Sequence, residues 1–599
     1  MAHINANFTP QSRRPAAAWS NAGLKNKNNP SPSEKGAMLS RMHSHSSLKS
    51  SISERFSFSA SPRTWGTPLD MRTPEPDDDL HDPSSERTGP WDGTGSIITS
   101  RGVSNLGCLV ILTLGLLLLF GGYPLITRLT RITQTNQGGF NLGGINATGQ
   151  VPAMAADFAL IDKDTPQSAY SRKSHETGEN MVLVFSDEFD RDGRSFYPGD
   201  DPYWEAVDLW YWGTKDLEWY DPAQVTTKDG ALQITLEKTD LTDASLKHNL
   251  TYKSGMLQSW NKFCFKGGYI EASVRLPGKS NVGGLWPAVW TLGNLGRAGY
   301  GATLDGLWPY SYESCDIGTL PNQTYADQTG PEAALSNGDP KHNGVLSFLP
   351  GQRLSACTCP GESHPGPMKK NGEYVGRAAP EIDVLEGIVE ENVLRGQVSQ
   401  SSQWAPYNAR YQWPKTAENY KIYDTDVTQL NSYAGSVNQQ AVSGLAFTNE
   451  ACYQYGGGCF TTYGFEYKPG YDDAYIAWVN NGEPSWTHYA RALGVDTEAE
   501  IDRRPISQEP MYIIANLGIS TGFGVISEEL TFPAVMSIDY IRVYQPENNV
   551  QISCDPEDYP TKTYIDTYRE AYSNPQLASW AKDYKQPWPK NKLSAQGCS

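Results

Sequence analysis

The sequence predicts an all-β fold, a sandwich or jelly roll of antiparallel strands interrupted by long loop inserts. Short apolar or alternating runs recur between clusters of Gly, Pro, Asn and Asp: ALQITLEK, GYIEASVRL, LWPAVWTL, AYIAWVN, MYIIANLGI and MSIDYIRVYQ. Runs of that length bounded by turn residues read as strands. Convincing helical periodicity is scarce over the same region. Aromatics are plentiful, with 17 Trp and 33 Tyr in 599 residues, which suits both a Trp-rich β core and flat platforms for sugar rings. Many short strands with turn signals favour stacked antiparallel sheets whose loops carry the site.

The elements follow in order. Residues 1–100 are rich in Ser, Pro, Asn and Arg and hold almost no aliphatic clusters, so they read as a disordered cytoplasmic tail. Residues 103–127 form an apolar run with no charge between Arg101 and Arg128. At about 1.5 Å per residue it is long enough for a hydrocarbon core of roughly 30 Å, and it reads as a single-pass signal anchor. A stalk over 128–180 leads to the folded region, 181–546, followed by an extension over 547–599. Two long irregular inserts, 296–379 and about 403–461, interrupt the strand pattern, and loops of that length in a compact domain are usually covers or binding walls. No internal repeat is evident.

Charge and cysteines place the folded region. A formal net charge of -18 argues against a nucleic-acid partner. Eight of nine cysteines follow the apolar run, an even number that suits disulfides in an oxidising lumen, while Cys108 lies within it. Acceptor sequons at Asn146, Asn249 and Asn322 agree with a lumenal or extracellular domain behind the anchor, the type II arrangement. Flanking arginines give no clear orientation. The expected pairs are Cys452 with Cys459, and Cys554 with Cys598.

The stretch EIDVLEG places three carboxyls within six residues of an otherwise apolar run. Glu381 and Asp383 share a strand face while Ile382 and Val384 point to the opposite layer. The third acid, Glu386, falls one residue late, and a β-bulge would return it to the acidic face. Three carboxyls so placed repel one another, and at least one must hold a proton. That suits retaining glycoside hydrolysis, in which a nucleophile and an acid/base flank the glycosidic bond. On spacing alone, a metal-binding or structural acidic strand stands equally well.

E-I-D-V-L-E resembles the bulged catalytic signature of glycoside hydrolase family 16. LVFSDEFDRDG resembles that family's opening strand, GGLWPAVWTLG its cleft strand, TYGFEYKPGYDDAYIAWVNNGE its back-sheet hairpin, and EPMYIIANLGIS with MSIDYIRVYQ its closing strands. The anchor behind a Ser-rich tail, the large insert before the motif, and CDPEDYPTKTYIDTYREAYSNPQLASW are similar to the fungal membrane-anchored β-glucan synthesis-associated subgroup. The resemblance implies a β-jelly roll with a concave cleft, no cofactor or metal, a β-glucan polymer or oligosaccharide as substrate, partners in secretory-pathway glucan synthesis, and a location from the endoplasmic reticulum and Golgi to the plasma membrane. It implies Glu381 as nucleophile, Asp383 as its orienting partner and Glu386 as general acid/base, acting in fungal wall β-1,6-glucan formation by hydrolysis or transglycosylation. A glucan- or glycoprotein-binding scaffold without turnover is the competing reading.

Around the motif, Trp286 is expected to stack on a sugar. Trp290, on the same strand face, is divided between sugar and core. Trp404 and Asn294 are weaker candidates for the cleft wall and for hydroxyl binding, with packing roles as the alternative. Many family members carry a His on the strand after the motif. Here GQVSQSSQ offers only Gln and Ser, and His248, His342, His364 and His488 read as loop or surface residues.

Overall fold

A computed structural model describes residues 100–122, 159–239 and 248–598. The chain divides into two compact units, one over 12–132 and one containing 133–599. In the first, an α-helix spans Ser100–Leu117 and continues as a π-helical turn over Leu118–Gly122. Among the described residues no helix is long and apolar enough to cross a membrane; the expected span continues to 127, outside the described residues. The expected tail up to residue 99, Asn146 and most of the stalk also lie outside them.

The second unit is two stacked sheets, as the strand pattern predicts. Its principal strands are β1 (Asn180–Asp187), β2 (Ala231–Lys238), β3 (Met256–Gln258), β4 (Gly268–Arg275), β5 (Trp286–Gly293), β6 (Glu381–Glu390), β7 (Arg395–Trp404), β8 (Gln439–Phe447), β9 (Thr461–Lys468), β10 (Tyr475–Asn480), β11 (Glu483–Tyr489), β12 (Met511–Gly518) and β13 (Ala534–Pro546). One sheet runs β8-β7-β6-β5-β12-β3 with short strands at its edges, and the other runs β11-β10-β9-β4-β13-β2. Pairing among these strands is antiparallel. The thirteen-residue β13 binds the second sheet together, pairing β4 along one edge and β2 then β1 along the other.

Apolar alternation places the core between the sheets. Ile382, Val384 and Leu385 from β6 meet Val289, Ile513, Phe465 and Ile541, all at most 2 % exposed. Trp478 and Trp486 stack within it at 4.3 Å. A Cβ on Gly444 would come within 2.5 Å of the Trp486 ring, so β8 can pass beneath that ring only with glycine there. His488, expected at the surface, is fully buried on β11 between Trp413 and Trp486, because its strand faces the core.

A second apolar cluster joins Leu292, Tyr512 and Ile514 to Leu307 and Leu354 from the first insert and to Tyr564, Tyr572 and Trp580 from the extension. The extension is therefore part of the domain. Arg377 of the insert grips Glu509 with two guanidinium nitrogens at 2.8 Å and donates to the Pro560 carbonyl at 2.7 Å. Cys264 pairs with Cys554, Cys315 with Cys357 and Cys359 with Cys598. The Cys452–Cys459 pair is as expected, whereas the expected Cys554–Cys598 pair is not formed. Each of those two cysteines anchors the extension to a different part of the domain. The insert over 296–379, expected to be irregular, holds short helical turns and isolated β-bridges. The region 403–461 is corrected: it contains β8 and short strands over 420–422, 428–430 and 435–436, since its small residues Ala441, Ser443 and Gly444 fit a tightly covered sheet.

Candidate active site

The site grows from a bulge in β6. Trp290 pairs with Asp383 and Val289 with Leu385, leaving Val384 as the extra residue. Val384 and Leu385 both enter the core, so Glu386 returns to the face of Glu381 and Asp383. The irregular backbone is held by core groups. Trp478 Nε1 donates to the Asp383 carbonyl at 2.8 Å, and Gln400 Nε2 reaches the Val384 carbonyl at 3.4 Å and the Val479 carbonyl at 2.8 Å. Buried carbonyls freed from the ladder need such partners.

Each carboxyl has a distinct donor. Trp308 Nε1, from the insert, donates to Glu381 Oε2 at 2.6 Å. Ser401 Oγ donates to Asp383 Oδ2 at 2.7 Å, and Gln403 Nε2 reaches the same oxygen at 3.3 Å. Trp286 Nε1 donates to Glu386 Oε1 at 3.1 Å, and Ser401 Oγ lies 3.3 Å from Glu386 Oε2. Asp383 is buried, whereas Glu381 and Glu386 are partly open.

Burial and mutual repulsion raise all three acids. Desolvation, then the charges of Asp383 and Glu386, hold the Glu381 carboxyl well above the usual range, and it shares a hydrogen bond with Asp383. Burial pushes Asp383 up to about 7. Burial, then the Asp383 charge, pushes Glu386 up to about 8. The set therefore retains protons at neutral pH, and Glu386 can serve as an acid there.

Trp286 stands at this face half-buried, stacked on Phe523 at 3.9 Å. Trp290, also half-buried, donates to Asn516 Oδ1 at 2.7 Å and packs at the rim of the second apolar cluster. Two expectations are corrected. Asn294 is fully buried, and its amide bonds Asn261, the Cys554 carbonyl and Thr561, so it fastens the extension and cannot meet a sugar. Trp404 is 2 % exposed in the main core and bonds Ser402, because its strand position carries it to the inter-sheet side. Asn249 is exposed, and Asn322 is partly buried with its backbone amide bonded to Leu349. Trp308, Ser401, Gln403 and Phe523 were not singled out from sequence. Ser401 and Gln403 alternate on β7 beside the motif, which is a signal; Trp308 sits in a loop that gives none. Among the described residues no cluster of His, Cys, Asp and Glu could hold a metal ion.

Residues 67–598 match the family described as beta-glucan synthesis-associated protein SKN1/KRE6/Sbg1. The chain is 42 % identical over 538 residues to beta-glucan synthesis-associated protein KRE6 of Saccharomyces cerevisiae, covering 88 % of this chain and 69 % of that protein. It is 44 % identical to SKN1 of the same yeast, covering 75 % of this chain and 54 % of that protein, and 44 % identical to KRE6 of Candida albicans, covering 72 % and 55 %. The chain thus spans about half the length of the latter two. Among solved structures, the catalytic domain of an endo-1,3-beta-glucanase (laminarinase) from Thermotoga petrophila RKU-1 aligns at 19 % identity, covering 62 % of this chain and all of that chain, with a TM-score of 0.35. The fold described above rests on the chain's own strand order.

Proposed function

The chain belongs to the SKN1/KRE6/Sbg1 family of beta-glucan synthesis-associated proteins, and from that premise we propose that it is a retaining β-glucan glycosidase or transglycosylase serving β-1,6-glucan formation in the cell wall. One observation carries the reading: a bulge sets three carboxyls on one sheet face, each with its own donor. In this reading Glu381, held by Trp308, passes to Asp383 the proton the two share and attacks the anomeric carbon as a carboxylate. Glu386 gives its proton to the leaving oxygen as the glycosidic C–O bond breaks. Glu386 then takes a proton from the incoming hydroxyl, which displaces Glu381 and restores the β configuration. Water as acceptor gives hydrolysis, and a sugar hydroxyl gives transfer. Trp286 and Trp290 offer aromatic edges beside the acids. The apolar run 103–127 would anchor the protein in secretory membranes with this domain on the lumenal or outer side.

The test pairs cells with purified protein. Glu381→Gln and Glu386→Gln are expected to fail to restore wall β-1,6-glucan in a null strain. The purified full chain is expected to elongate or shorten β-1,3- or β-1,6-gluco-oligosaccharides, with each variant reduced by roughly 10²–10⁴-fold. Full restoration by both variants would leave a glucan-binding scaffold as the function.

A further inference from the structure

Ser401 occupies a position where one proton must serve two carboxyls. Its hydroxyl lies 2.7 Å from Asp383 Oδ2 and 3.3 Å from Glu386 Oε2, on a side chain in a residue only 1 % exposed. A hydroxyl has a single proton and two lone pairs. Ser399 Oγ donates to Ser401 Oγ at 3.3 Å and is itself 3.0 Å from Ser443 Oγ. One lone pair of Ser401 is thereby occupied. Its proton goes to the nearer carboxyl, Asp383, because the shorter bond to the buried charge is the stronger one. Toward Glu386, Ser401 therefore presents its remaining lone pair, which can accept a proton and cannot donate one.

We propose that Ser401 is a positioning residue that couples the two acids, holding Asp383 as the charged member and Glu386 as the protonated one before the glycosidic bond breaks. The inference rests on the enzymatic reading above and names the device that prepares its acid. Protonated Glu386 donates through Oε2–H to Ser401 Oγ, while Oε1 accepts from Trp286 Nε1. When Glu386 yields its proton to the leaving oxygen, that oxygen gains the O–H bond and Glu386 becomes a carboxylate facing a lone pair. Such a carboxylate is primed to take a proton back from an acceptor hydroxyl, and no further reactant is required.

Other groups facing this pair are Glu381 on the same strand, the Trp286 indole from β5, the Tyr433 ring from the segment before β8, and Ser399 with Ser443 across β7 and β8. None of these is a cation. Removing the Ser401 hydroxyl has two consequences of the same sign. Glu386 loses the acceptor for its proton, and Asp383 loses its closest donor, so it ionises less readily and repels the Glu386 charge less. Both lower the affinity of Glu386 for its proton.

The experiment follows Glu386 directly in the full-length chain. The protonated-carboxyl infrared band is recorded against pH, and the part belonging to Glu386 is the part lost in Glu386→Gln, in the wild-type and in the Ser401→Ala background. Ser401→Ala is expected to move that titration downward by roughly one pH unit, and Ser401→Thr, which keeps the hydroxyl, to leave it in place. The basic limb of kcat against pH on gluco-oligosaccharides is expected to move with it, while KM stays within about twofold. An unmoved titration in Ser401→Ala overturns the coupling, as does an equal displacement in Ser401→Thr. If Ser401→Ala does not fold, the Thr variant decides: a displaced titration there overturns the proposal, and a retained one together with a retained kcat profile supports it. A displaced titration in a chain that turns over no glucan supports the coupling and overturns the enzymatic reading, so the two failures are distinguishable.

Discussion

Two acidic clusters stand apart, one on the bulged strand of the site sheet and the other at the short strand Glu218–Tyr220 on the edge of the opposite sheet, and only the first is open to solvent. Asp216 and Glu218 are at most 4 % exposed, with Asp216 bonded to Thr214 and to Tyr220 Oη, and with Glu218 accepting from the Ile519 amide at 3.1 Å. Burial pushes Asp216 up to about 6, and burial with the Asp216 charge holds Glu218 well above the usual range. By proton affinity alone this pair resembles the acids of β6. A chain of hydrogen bonds even connects it to the site sheet, from Asp216 through Tyr220 and Asn516 to Trp290. The difference is access. Glu381 and Glu386 are partly open and meet indole N–H groups from two different elements, whereas the second pair is sealed by backbone and tyrosine. A raised carboxyl marks burial among like charges, and becomes a candidate for chemistry only where a ligand can reach it.

The sharpest way to break that contrast is to neutralise one acid in each cluster. Glu386→Gln is expected to lower turnover by roughly 10²–10⁴-fold, and Asp216→Asn to stay within about tenfold, a difference of near 1.4 kcal/mol at most in the barrier. Initial rates on gluco-oligosaccharides decide it, and comparable losses would give the sealed pair a share in the chemistry. Next in size is Trp308→Phe, which keeps the ring and deletes the donor to Glu381. A hydrogen bond to a charged group contributes about 1.5–3 kcal/mol, so kcat is expected to fall by one to two orders of magnitude with little change in KM.

The smallest expected effects concern the sealed pair. Tyr220→Phe removes the donor to Asp216 and the acceptor for Asn516, at a cost of about 1–3 kcal/mol in denaturation midpoints, with activity changed less than threefold in the absence of a catalytic role. The pH dependence has a definite sign. Asp216 is raised in the fold from 3.8 to about 6. Its neutral form is favoured by folding, so its contribution is complete below about pH 4 and is lost as pH rises through 6. Melting curves from pH 4 to 7 are expected to fall more steeply for the wild type than for Asp216→Asn.

Much of the fold was legible because strand alternation and turn residues repeat along the chain, and each strand-like run quoted from the sequence lies on a sheet. The bulge was legible as a mismatch: Leu385 stands where strict alternation would place an acid. Alternation names a face and does not say what covers it, which is why Trp404 and Asn294 were misplaced. The donor to Glu381 comes from Trp308, 73 residues upstream in an irregular loop, and no local pattern encodes that approach. Cys264 and Cys554 are separated by 290 residues, a pairing that depends on the assembled sheets.

The extension carries a consequence for biosynthesis. Leu292 and Tyr512, which floor the Glu381 end of the site strands, are packed under Tyr564, Tyr572 and Trp580, and Cys359 is tied to Cys598. A ribosome that has translated only to β13 has made every strand and all three acids, yet not the residues that lie over this end. The acid-bearing face is therefore completed only once the extension has been made, and a nascent chain that does not yet carry it would leave Leu292 and Tyr512 open to chaperones.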